Sequence, residues 1–440
     1  MLYFSTETPL KIAVFINQLG IGGTEKAACE WARQLSLFPD CKGIFVISMN
    51  DGPRKKDLEQ AGIPVQIQSN AAGIAEVLGG IDVIHAHAPG FPHAGDVLGE
   101  ALKLVKKKIP VVQTNIFGKL ENPREDTWTD FRLFISWTSC VQAARRSGHK
   151  LDLDFFRHQS VASYPVSPLS ETEEAQLEKQ AWAFRECIGL LPDHVLFGRF
   201  SRPEPNKWTP VIIPAFLDAY RKSPNVRLLL REPPAKVAFD LRSSNLASPN
   251  ESTAKTYPIL ILTATSDANE LAVSQMACDV ILHASSIGES FGYGIAEPMN
   301  LGKPVITNSV PWHDQAQLEL VQHGVCGWVA NTRSNLNKAI ASLATDPSLR
   351  KKFGQSGRRR LQKIADPGRS TQRIRQALSC AVEGKQNPHV PEDLAQSILA
   401  AKELDGAQWG HGCQEKSGLL AQSTWISFLR WQKKVRTGKA

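Results

Sequence analysis

Short apolar runs alternate regularly with helix-like segments along most of the chain, and this alternation constrains the fold more than any other feature. Runs that indicate buried strands lie at residues 11–16, 43–47, 83–85, 110–114 and 131–136. Helix-like segments such as residues 95–107 separate them. Strands that are apolar throughout are typical of a parallel sheet covered by helices on both faces. We therefore predict an α/β fold built from doubly wound parallel sheets.

A second series of strands and helices follows a proline-containing stretch at residues 164–168. Its strand-like runs lie at residues 194–200, 226–230, 258–262, 279–282, 304–307 and 327–330. A chain of 440 residues is too long for one ordinary core. We predict a Rossmann-like domain over residues 1–165 and a second over residues 166–365. Because ligands bind beyond the carboxyl ends of parallel strands, two such domains facing each other form a cleft.

Composition argues against several classes of protein. There is no run of eighteen apolar residues, and residues 1–9 lack the basic and apolar stretches of a signal peptide, so we expect a soluble, cytoplasmic protein. The 8 cysteines are scattered without a Cys-x-x-Cys pair, which argues against a zinc site or a disulfide framework. The net charge of +8 permits an anionic partner, but the cations do not gather with aromatic residues as nucleic-acid binders require.

Two carboxylates bracket a glycine-rich turn in the second half of the chain. Glu289 precedes the turn and Glu297 follows it, directly after the apolar run at residues 280–282. A helix that begins near Gly292 points free amide donors at whatever lies before it, and such a terminus attracts a phosphate. Two carboxylates beside phosphate-binding amides suit a ligand that is both polyhydroxylated and phosphorylated. The alternative is a helix start that Glu297 merely stabilises.

Two further candidates lie at strand ends of the first half. Gly22 and Gly23 stand between a predicted strand and a predicted helix, where glycine lets the backbone approach a ligand but is also common in any tight connection. His85 and His87 are two positions apart at the end of a strand, so they point to the same face. Because no third metal-binding residue is nearby, we do not predict a metal site here. We predict instead that the histidines either contact a bound molecule or are buried and hydrogen-bonded.

Taken in order, these motifs resemble the retaining GT-B glycosyltransferases of glycosyltransferase family 4, over roughly residues 11–385. The matching stretches are Gly22-Gly23-Thr24-Glu25, residues 82–87, Gly198-Arg199 with Lys207, and residues 289–298. The resemblance implies a GT-B fold, with two Rossmann-like domains facing across a cleft. It also implies transfer of a sugar from a nucleotide-sugar donor to an acceptor, which is a glycan, a glycolipid or a small metabolite, with retention at the anomeric carbon and without a bound metal. No cofactor is then needed, because the nucleotide-sugar is a co-substrate.

The resemblance assigns roles on the donor side. Glu289 corresponds to the carboxylate near the hydroxyls of the transferred sugar, and Glu297 to the one that holds the donor ribose. Arg199 and Lys207 correspond to the cations that neutralise the diphosphate as the glycosidic bond breaks. Their spacing is longer than the family's and Lys207 is not followed by glycine, which makes Arg202 a rival phosphate ligand. The catalytic candidates are therefore Glu289, Arg199 and Lys207, and the donor-binding candidates are Glu297, Phe291, Gly292, Ser290, Arg202, Gly22 and Gly23.

The acceptor side departs from the family. In many relatives the strand after His85 and His87 ends with a histidine at the catalytic site, but here Asn115 takes that place. An amide hydrogen-bonds a sugar hydroxyl but does not exchange protons near neutral pH. The resemblance suggests that the leaving phosphate oxygen deprotonates the acceptor instead. The acceptor-side candidates are thus His85, His87 and Asn115.

The end of the chain divides into two parts. Residues 366–385 match the crossover helix that relatives send back to the first domain, and residues 386–440 form a tail outside the resemblance. Within the tail, residues 425–440 are basic and aromatic, and predict either a helix at an anionic membrane surface or a packed or mobile segment. The membrane alternative places the enzyme peripherally on the inner face of the membrane, with a glycan or lipid-linked acceptor in polysaccharide biosynthesis.

Three functional classes fit these features. The first is a nucleotide-sugar glycosyltransferase, a hexosyltransferase in the resemblance. The second is an epimerase or phosphorylase on the GT-B fold. The third is a non-catalytic nucleotide-sugar-binding protein, which the changes at Asn115 and around Lys207 leave open.

Overall fold

A computed structural model describes residues 9–87, 92–118, 120, 127–150, 152, 154–247, 256–310 and 313–387. The tail at residues 388–440, including the basic and aromatic segment at 425–440, lies outside the described residues. Along the described part of the chain, no helix is both long enough and apolar enough to cross a membrane.

The first domain is built on a parallel sheet of seven strands in the order β3-β2-β1-β4-β5-β6-β7. Its strands are β1 (Leu10–Gln18), β2 (Cys41–Asn50), β3 (Val65–Ile67), β4 (Val83–His87), β5 (Val111–Asn115), β6 (Phe131–Phe134) and β7 (Gln159–Val161). Its helices are α1 (Gly23–Ser36), α2 (Arg54–Gln60), α3 (Ala71–Val77), α4 (Pro92–Leu104) and α5 (Trp137–Arg146). The strand order reverses between β1 and β4, and such a switch point opens a crevice at the carboxyl ends of the two strands.

The second domain repeats this arrangement with a six-stranded parallel sheet in the order β10-β9-β8-β11-β13-β15. Its strands are β8 (Val195–Phe200), β9 (Val226–Arg231), β10 (Ile259–Leu262), β11 (Val280–His283), β13 (Val305–Thr307) and β15 (Gly327–Val329), with a separate pair formed by β12 (Gly288–Glu289) and β14 (Asp314–Gln315). Its helices are α6 (Glu171–Cys187), α7 (Ile212–Lys222), α8 (Ala235–Ser243), α9 (Ala268–Met276), α10 (Tyr293–Asn300), α11 (Ala316–Leu320), α12 (Arg333–Thr345) and α13 (Pro347–Ile364). The second switch point lies between β8 and β11.

The predicted α/β architecture is confirmed, since both sheets are parallel and their strands form from the apolar runs. The central strands of the sheets are buried, and β8, for example, is buried along its whole length, whereas the edge strand β3 exposes its middle residue. The strands that the sequence did not predict are β3, β7, β12 and β14, each of two or three residues.

The last described helix returns to the first domain. Helix α14 (Pro367–Glu383) packs against β4, β5 and β6, and buries Ile374, Ala377 and Leu378. Trp31 of α1 donates its Nε1 hydrogen to Ser370 Oγ at 3.0 Å, and Ser370 in turn donates to the Ser163 carbonyl at 2.5 Å. The chain thus crosses between domains twice, and both sheets hold their carboxyl ends toward a shared cleft.

Candidate active site

A cavity of about 560 Å³ lies between the two domains. From the first domain it is lined by Gly22, Gly23 and Lys26, at the start of α1. From the second domain it is lined by residues that include Arg202 and Glu297. The wall therefore combines the two loops that follow the switch points, which is where a ligand of two facing parallel sheets is expected.

Behind this wall, Glu289 lies in a buried cluster of charged and polar groups. Lys207 Nζ lies 2.9 Å from Glu289 Oε2, and the two side chains are 15% and 13% exposed. His283 Nε2 lies 3.0 Å from Glu289 Oε1. Because an ionised carboxylate only accepts hydrogen bonds, this geometry assigns the Nε2 proton to His283.

The cluster keeps Glu289 ionised. Burial by itself raises the pKa of a carboxyl group, but the hydrogen bond from His283 and the charge of Lys207 outweigh it and lower the pKa of Glu289 to about 2. Burial also lowers the pKa of His283, so its imidazole is neutral near pH 7. The result is a fixed negative charge beside a lysine ammonium, held without a protonated histidine.

Arg199 is buried and hydrogen-bonded to several groups, and it is not an exposed cation. Its guanidinium donates to the Ala284 carbonyl at 3.0 Å, and also to Ser201 Oγ and the Lys207 carbonyl. It stacks over Trp208 with 4.4 Å from Cζ to the ring centroid. Burial lowers the pKa of Arg199 to about 10, against the opposing pull of Glu289. Arg199 thereby fixes the loop that carries Lys207.

The start of α10 follows directly after this cluster. Gly292 is the N-terminal cap residue, with φ of 97°, and it supplies no side chain to cap the first amides. The Phe291 ring is buried among aromatic side chains, with its centroid 5.5 Å from that of Tyr164, so only its backbone is placed for a ligand. Ser290 Oγ donates to Asp314 Oδ2 at 2.5 Å. The turn is thus held rigidly from both sides.

Glu297 lies on the cavity side of α10 and already has two partners. Lys26 Nζ lies 2.5 Å from Glu297 Oε1 across the cleft, and Gln275 Nε2 lies 3.4 Å from Oε2. Tyr293, four residues earlier on the same helix, places its ring 4.9 Å from Lys26 Nζ. Tyr293 also donates its hydroxyl hydrogen to the Pro165 carbonyl at 3.2 Å. Helix α10 is therefore the element through which the second domain meets the first at this end of the cavity.

The acceptor-side candidates do not reach the cavity. His85 and His87 are fully buried, with ring centroids 4.3 Å apart, and both lie against Trp31. His85 Nε2 lies 2.8 Å from Thr114 Oγ1, and burial lowers the pKa of His85 to about 3. Asn115 is also buried, at 3% exposed. This geometry fits the alternative of buried histidines, but only His85 is hydrogen-bonded; among the described residues neither ring nitrogen of His87 has a hydrogen-bond partner.

Seven of the donor-side candidates therefore fall into two groups. Gly22, Gly23, Arg202 and Glu297 line the cavity, where Arg202 forms an exposed ion pair with Glu204 at 3.1 Å. The buried cluster behind it holds the three residues Glu289, Lys207 and Arg199.

Two further residues of the site were not among the candidates. His283 ends β11, and a histidine at the end of a strand is the same signal that drew attention to His85 and His87. Lys26 directly follows the Gly22–Glu25 motif.

Comparison with known proteins places this geometry on a known fold. Residues 260–360, from β10 into α13, match the family model described as glycosyl transferases group 1. No curated protein sequence matches the chain.

Three solved structures share the arrangement of the two domains. The Anabaena protein Alr3699/HepE, in complex with UDP and glucose, is 20% identical, with a TM-score of 0.64 over 84% of this chain and 99% of that one. A glycosyltransferase from Rickettsia africae is 16% identical, with a TM-score of 0.65 over 85% of this chain and 99% of that one. WaaG, a glycosyltransferase involved in lipopolysaccharide biosynthesis, is 13% identical, with a TM-score of 0.57 over 82% and 99%.

The chain has the GT-B fold, as predicted. Its second domain carries the segment that matches group 1 glycosyltransferases, and this segment contains Glu289 and Glu297. The matching segment supports a glycosyltransferase.

Proposed function

We propose that this protein transfers a sugar from a nucleotide-sugar donor to an acceptor with retention of anomeric configuration. The observation that carries the proposal is the interdomain cavity, whose wall joins Glu297 and the first turn of α10 to the Gly22–Gly23 loop. A carboxylate for hydroxyls, helix amides for phosphate and a glycine approach from the opposite domain are the parts that such a donor requires. The match of residues 260–360 to group 1 glycosyltransferases supports it.

In the proposed reaction the second domain holds the donor. Glu297 accepts hydrogen bonds from the ribose hydroxyls, and the uncapped amides at the start of α10 face the diphosphate. Two cations that follow β8 in the sequence neutralise the leaving group. Arg202 lies at the cavity wall, and Lys207 lies behind it. Arg199 positions Lys207 through the hydrogen bond to its carbonyl.

Glu289 orients the transferred sugar. Its charge is fixed by Lys207 and His283, so it is preorganised to accept sugar hydroxyls whose hydrogen bonds strengthen as the anomeric carbon gains positive charge. Because no histidine is among the described residues that line the cavity, we infer that the departing phosphate oxygen takes the acceptor proton on the same face. That route gives retention and needs neither a metal nor a cofactor. Domain closure excludes water and limits hydrolysis of the donor.

For the acceptor we propose a glycan or a lipid-linked glycan. The lipopolysaccharide role of WaaG, a neighbour in fold, supports this class. Peripheral contact with a membrane through residues 425–440 is part of the same proposal.

The test begins with a panel of UDP-, GDP-, ADP- and dTDP-linked sugars. A donor at 100 times its Kd adds about 2.7 kcal/mol to the free energy of unfolding, so the correct donor raises Tm. Donor hydrolysis and transfer are then compared for the wild type, Glu289→Gln and the control Glu186→Gln, which changes an exposed carboxylate on α6. We expect Glu289→Gln to lower kcat by about 100-fold or more, with donor Kd changed by less than about fivefold.

The competing functions give different outcomes in the same assay. Full transfer rates in Glu289→Gln contradict the assigned role. An epimerised sugar-nucleotide, or phosphorolysis of a glycan, identifies another enzyme on this fold. A donor that raises Tm but is neither hydrolysed nor transferred, with several acceptors tried, identifies a binding protein. The anomeric configuration of the product, read by NMR, decides retention.

A further inference from the structure

The ion pair between Lys26 and Glu297 lies inside the cavity and joins the two domains. Lys26 belongs to the first turns of α1, shortly after Gly22 and Gly23, and Glu297 belongs to α10. Nζ and Oε1 are 2.5 Å apart, and the side chains are 42% and 22% exposed. The pair is therefore accessible to a ligand in the cavity.

The other cations that line the cavity are held by different groups. Arg54 donates to the Gly20 carbonyl at 2.9 Å, and Arg202 pairs with Glu204 at 3.1 Å. Arg231 pairs with Glu270 at 2.9 Å and is 6% exposed at its side chain. Lys26 differs from these because its partner is the carboxylate to which the proposed function assigns the donor ribose.

We propose that Lys26 is a donor-phosphate ligand that exchanges partners when the donor binds. The proposal rests on the proposed function, in which Glu297 accepts hydrogen bonds from the ribose hydroxyls. Those hydroxyls and the Lys26 ammonium compete for Oε1 of Glu297. When the ribose takes that oxygen, the ammonium loses its partner in a cavity that now contains a diphosphate, which is a stronger acceptor and carries more charge.

The exchange is small in energy and in distance. A partly exposed ion pair contributes little to stability, so its loss costs little. Lysine reaches its partners through a flexible four-carbon stem, and its ammonium has three donors to redistribute. The Lys26 amide is itself bonded to the Gly22 carbonyl at 3.0 Å, which fixes the base of the side chain beside the glycine loop.

The exchange gives the first domain a direct contact with the donor. In the free protein, Lys26 ties α1 to α10 through Glu297. In the bound protein, it ties α1 to the diphosphate, which the second domain also holds. The same lysine thus links the two domains in both states. In the bound state Glu297 does not have to stay paired with Lys26 for the domains to remain linked.

Paired ligands that differ only in the diphosphate test this exchange. Calorimetric Kd values are measured for uridine and UDP, guanosine and GDP, adenosine and ADP, and thymidine and dTDP, using wild type, Lys26→Met and Lys26→Arg. The control Lys42→Met removes an exposed cation at the opposite, amino end of β2. We expect Lys26→Met to weaken the preferred diphosphate about tenfold or more, because a charged hydrogen bond is lost. The matching nucleoside should bind as in wild type or up to a few-fold more tightly, because Glu297 is vacated.

The other variants fix the interpretation. Lys26→Arg and Lys42→Met should bind the diphosphate within about threefold of wild type. Lys26→Gln serves as a second neutral variant if Lys26→Met lowers Tm. Equal diphosphate affinity in wild type and both neutral variants overturns the proposal, as does an equal loss for nucleoside and diphosphate. A wild type that binds none of the four diphosphates instead defeats the proposed function, and this inference with it.

Discussion

At the scale of single residues, the site depends on how a carboxylate stays charged in a buried position. Glu289 is almost fully removed from water, and an unpaired carboxylate there would take up a proton. Lys207 and His283 each bond one of its oxygens, and its own amide donates to Gln317 Oε1 at 3.0 Å. Lys207 and His283 therefore keep the carboxylate charged, while Gln317 holds its backbone, and the pH dependence of stability should reveal this charge.

We expect the stabilising effect of Glu289 to disappear in acid. Its folded pKa of about 2 lies below the ordinary value of 4.5, so the ionised cluster stabilises the protein fully above pH 4.5 and loses that effect as pH falls toward 2. The difference in free energy of unfolding between wild type and Glu289→Gln should shrink by about 1.4 kcal/mol per pH unit below 4.5. Urea titrations between pH 3 and pH 6 measure it; a difference that stays constant over that interval contradicts the assignment.

The sequence predicted the residue types of this cluster better than their contacts. Glu289 stands out because it precedes a glycine turn after a strand, but Lys207 lies 82 positions away in sequence, and no local pattern states that their side chains meet. His283 carries no signal beyond its place at a strand end. The sequence left both alternatives open for His85, since a histidine at a strand end looks the same in sequence whether Trp31 covers it or a ligand reaches it.

At the scale of elements, the start of α10 connects the buried cluster to the cavity. The turn before it must bring Glu289 and the first helical amides to one side, and the φ of 97° at Gly292 makes this possible. A Cβ at that position would lie 3.2 Å from Glu289 Cβ. The glycine is therefore needed for backbone conformation and for space beside the carboxylate.

We expect Gly292→Ala to cost stability and function together. A left-handed conformation costs an alanine about 1–2 kcal/mol, and the new methyl group displaces Glu289. Gly384→Ala is the matched control, because Gly384 has φ of 62° at the end of α14 and a Cβ there meets nothing within 4 Å. Urea unfolding should show a similar loss in both variants, but only Gly292→Ala should lower kcat. Equal kcat in the two variants would separate the turn from the chemistry.

The main elements of both sheets followed from local pattern, because their strands are apolar runs between glycine, proline and polar segments. Strands β3 and β7 have three residues each, and β12 and β14 have two. β13 and β15 are equally short but lie in the predicted runs at residues 304–307 and 327–330, whereas no such run marks the other four strands. Their conformation is set by pairing with another strand, as β12 and β14 pair only with each other. Pairing between distant segments cannot be predicted from a short stretch of sequence.

At the scale of the whole molecule, the two domains are joined by contacts as well as by the chain. Glu319 of α11 accepts a hydrogen bond from the Thr138 amide at the start of α5, and Gln142 donates to the His313 carbonyl. Together with the Lys26–Glu297 pair and the packing of α14 on the first sheet, these contacts set the position of one cavity wall relative to the other. Donor affinity should consequently depend on residues far from any ligand.

The bond between Trp31 and Ser370 measures how firmly α14 holds the first domain. Ser370→Ala leaves a buried indole N–H and the Ser163 carbonyl without their partner, which costs about 1–3 kcal/mol. Ser379→Ala is the control on the same helix, since its hydroxyl only bonds the Arg375 carbonyl one turn away at 3.1 Å. Both variants gain the same helix propensity, so their difference isolates the link between helix and domain.

Urea unfolding followed by tryptophan fluorescence and by circular dichroism gives the result. We expect Ser370→Ala to lower the unfolding midpoint and Ser379→Ala to stay within about 0.5 kcal/mol of wild type. If α14 makes the two domains one cooperative unit, the two probes report the same midpoint in wild type and separate in Ser370→Ala, where the first domain unfolds earlier. Equal midpoints for the two serine variants would mean that the apolar face of α14, with Ile374 and Leu378, holds the domains together without this hydrogen bond.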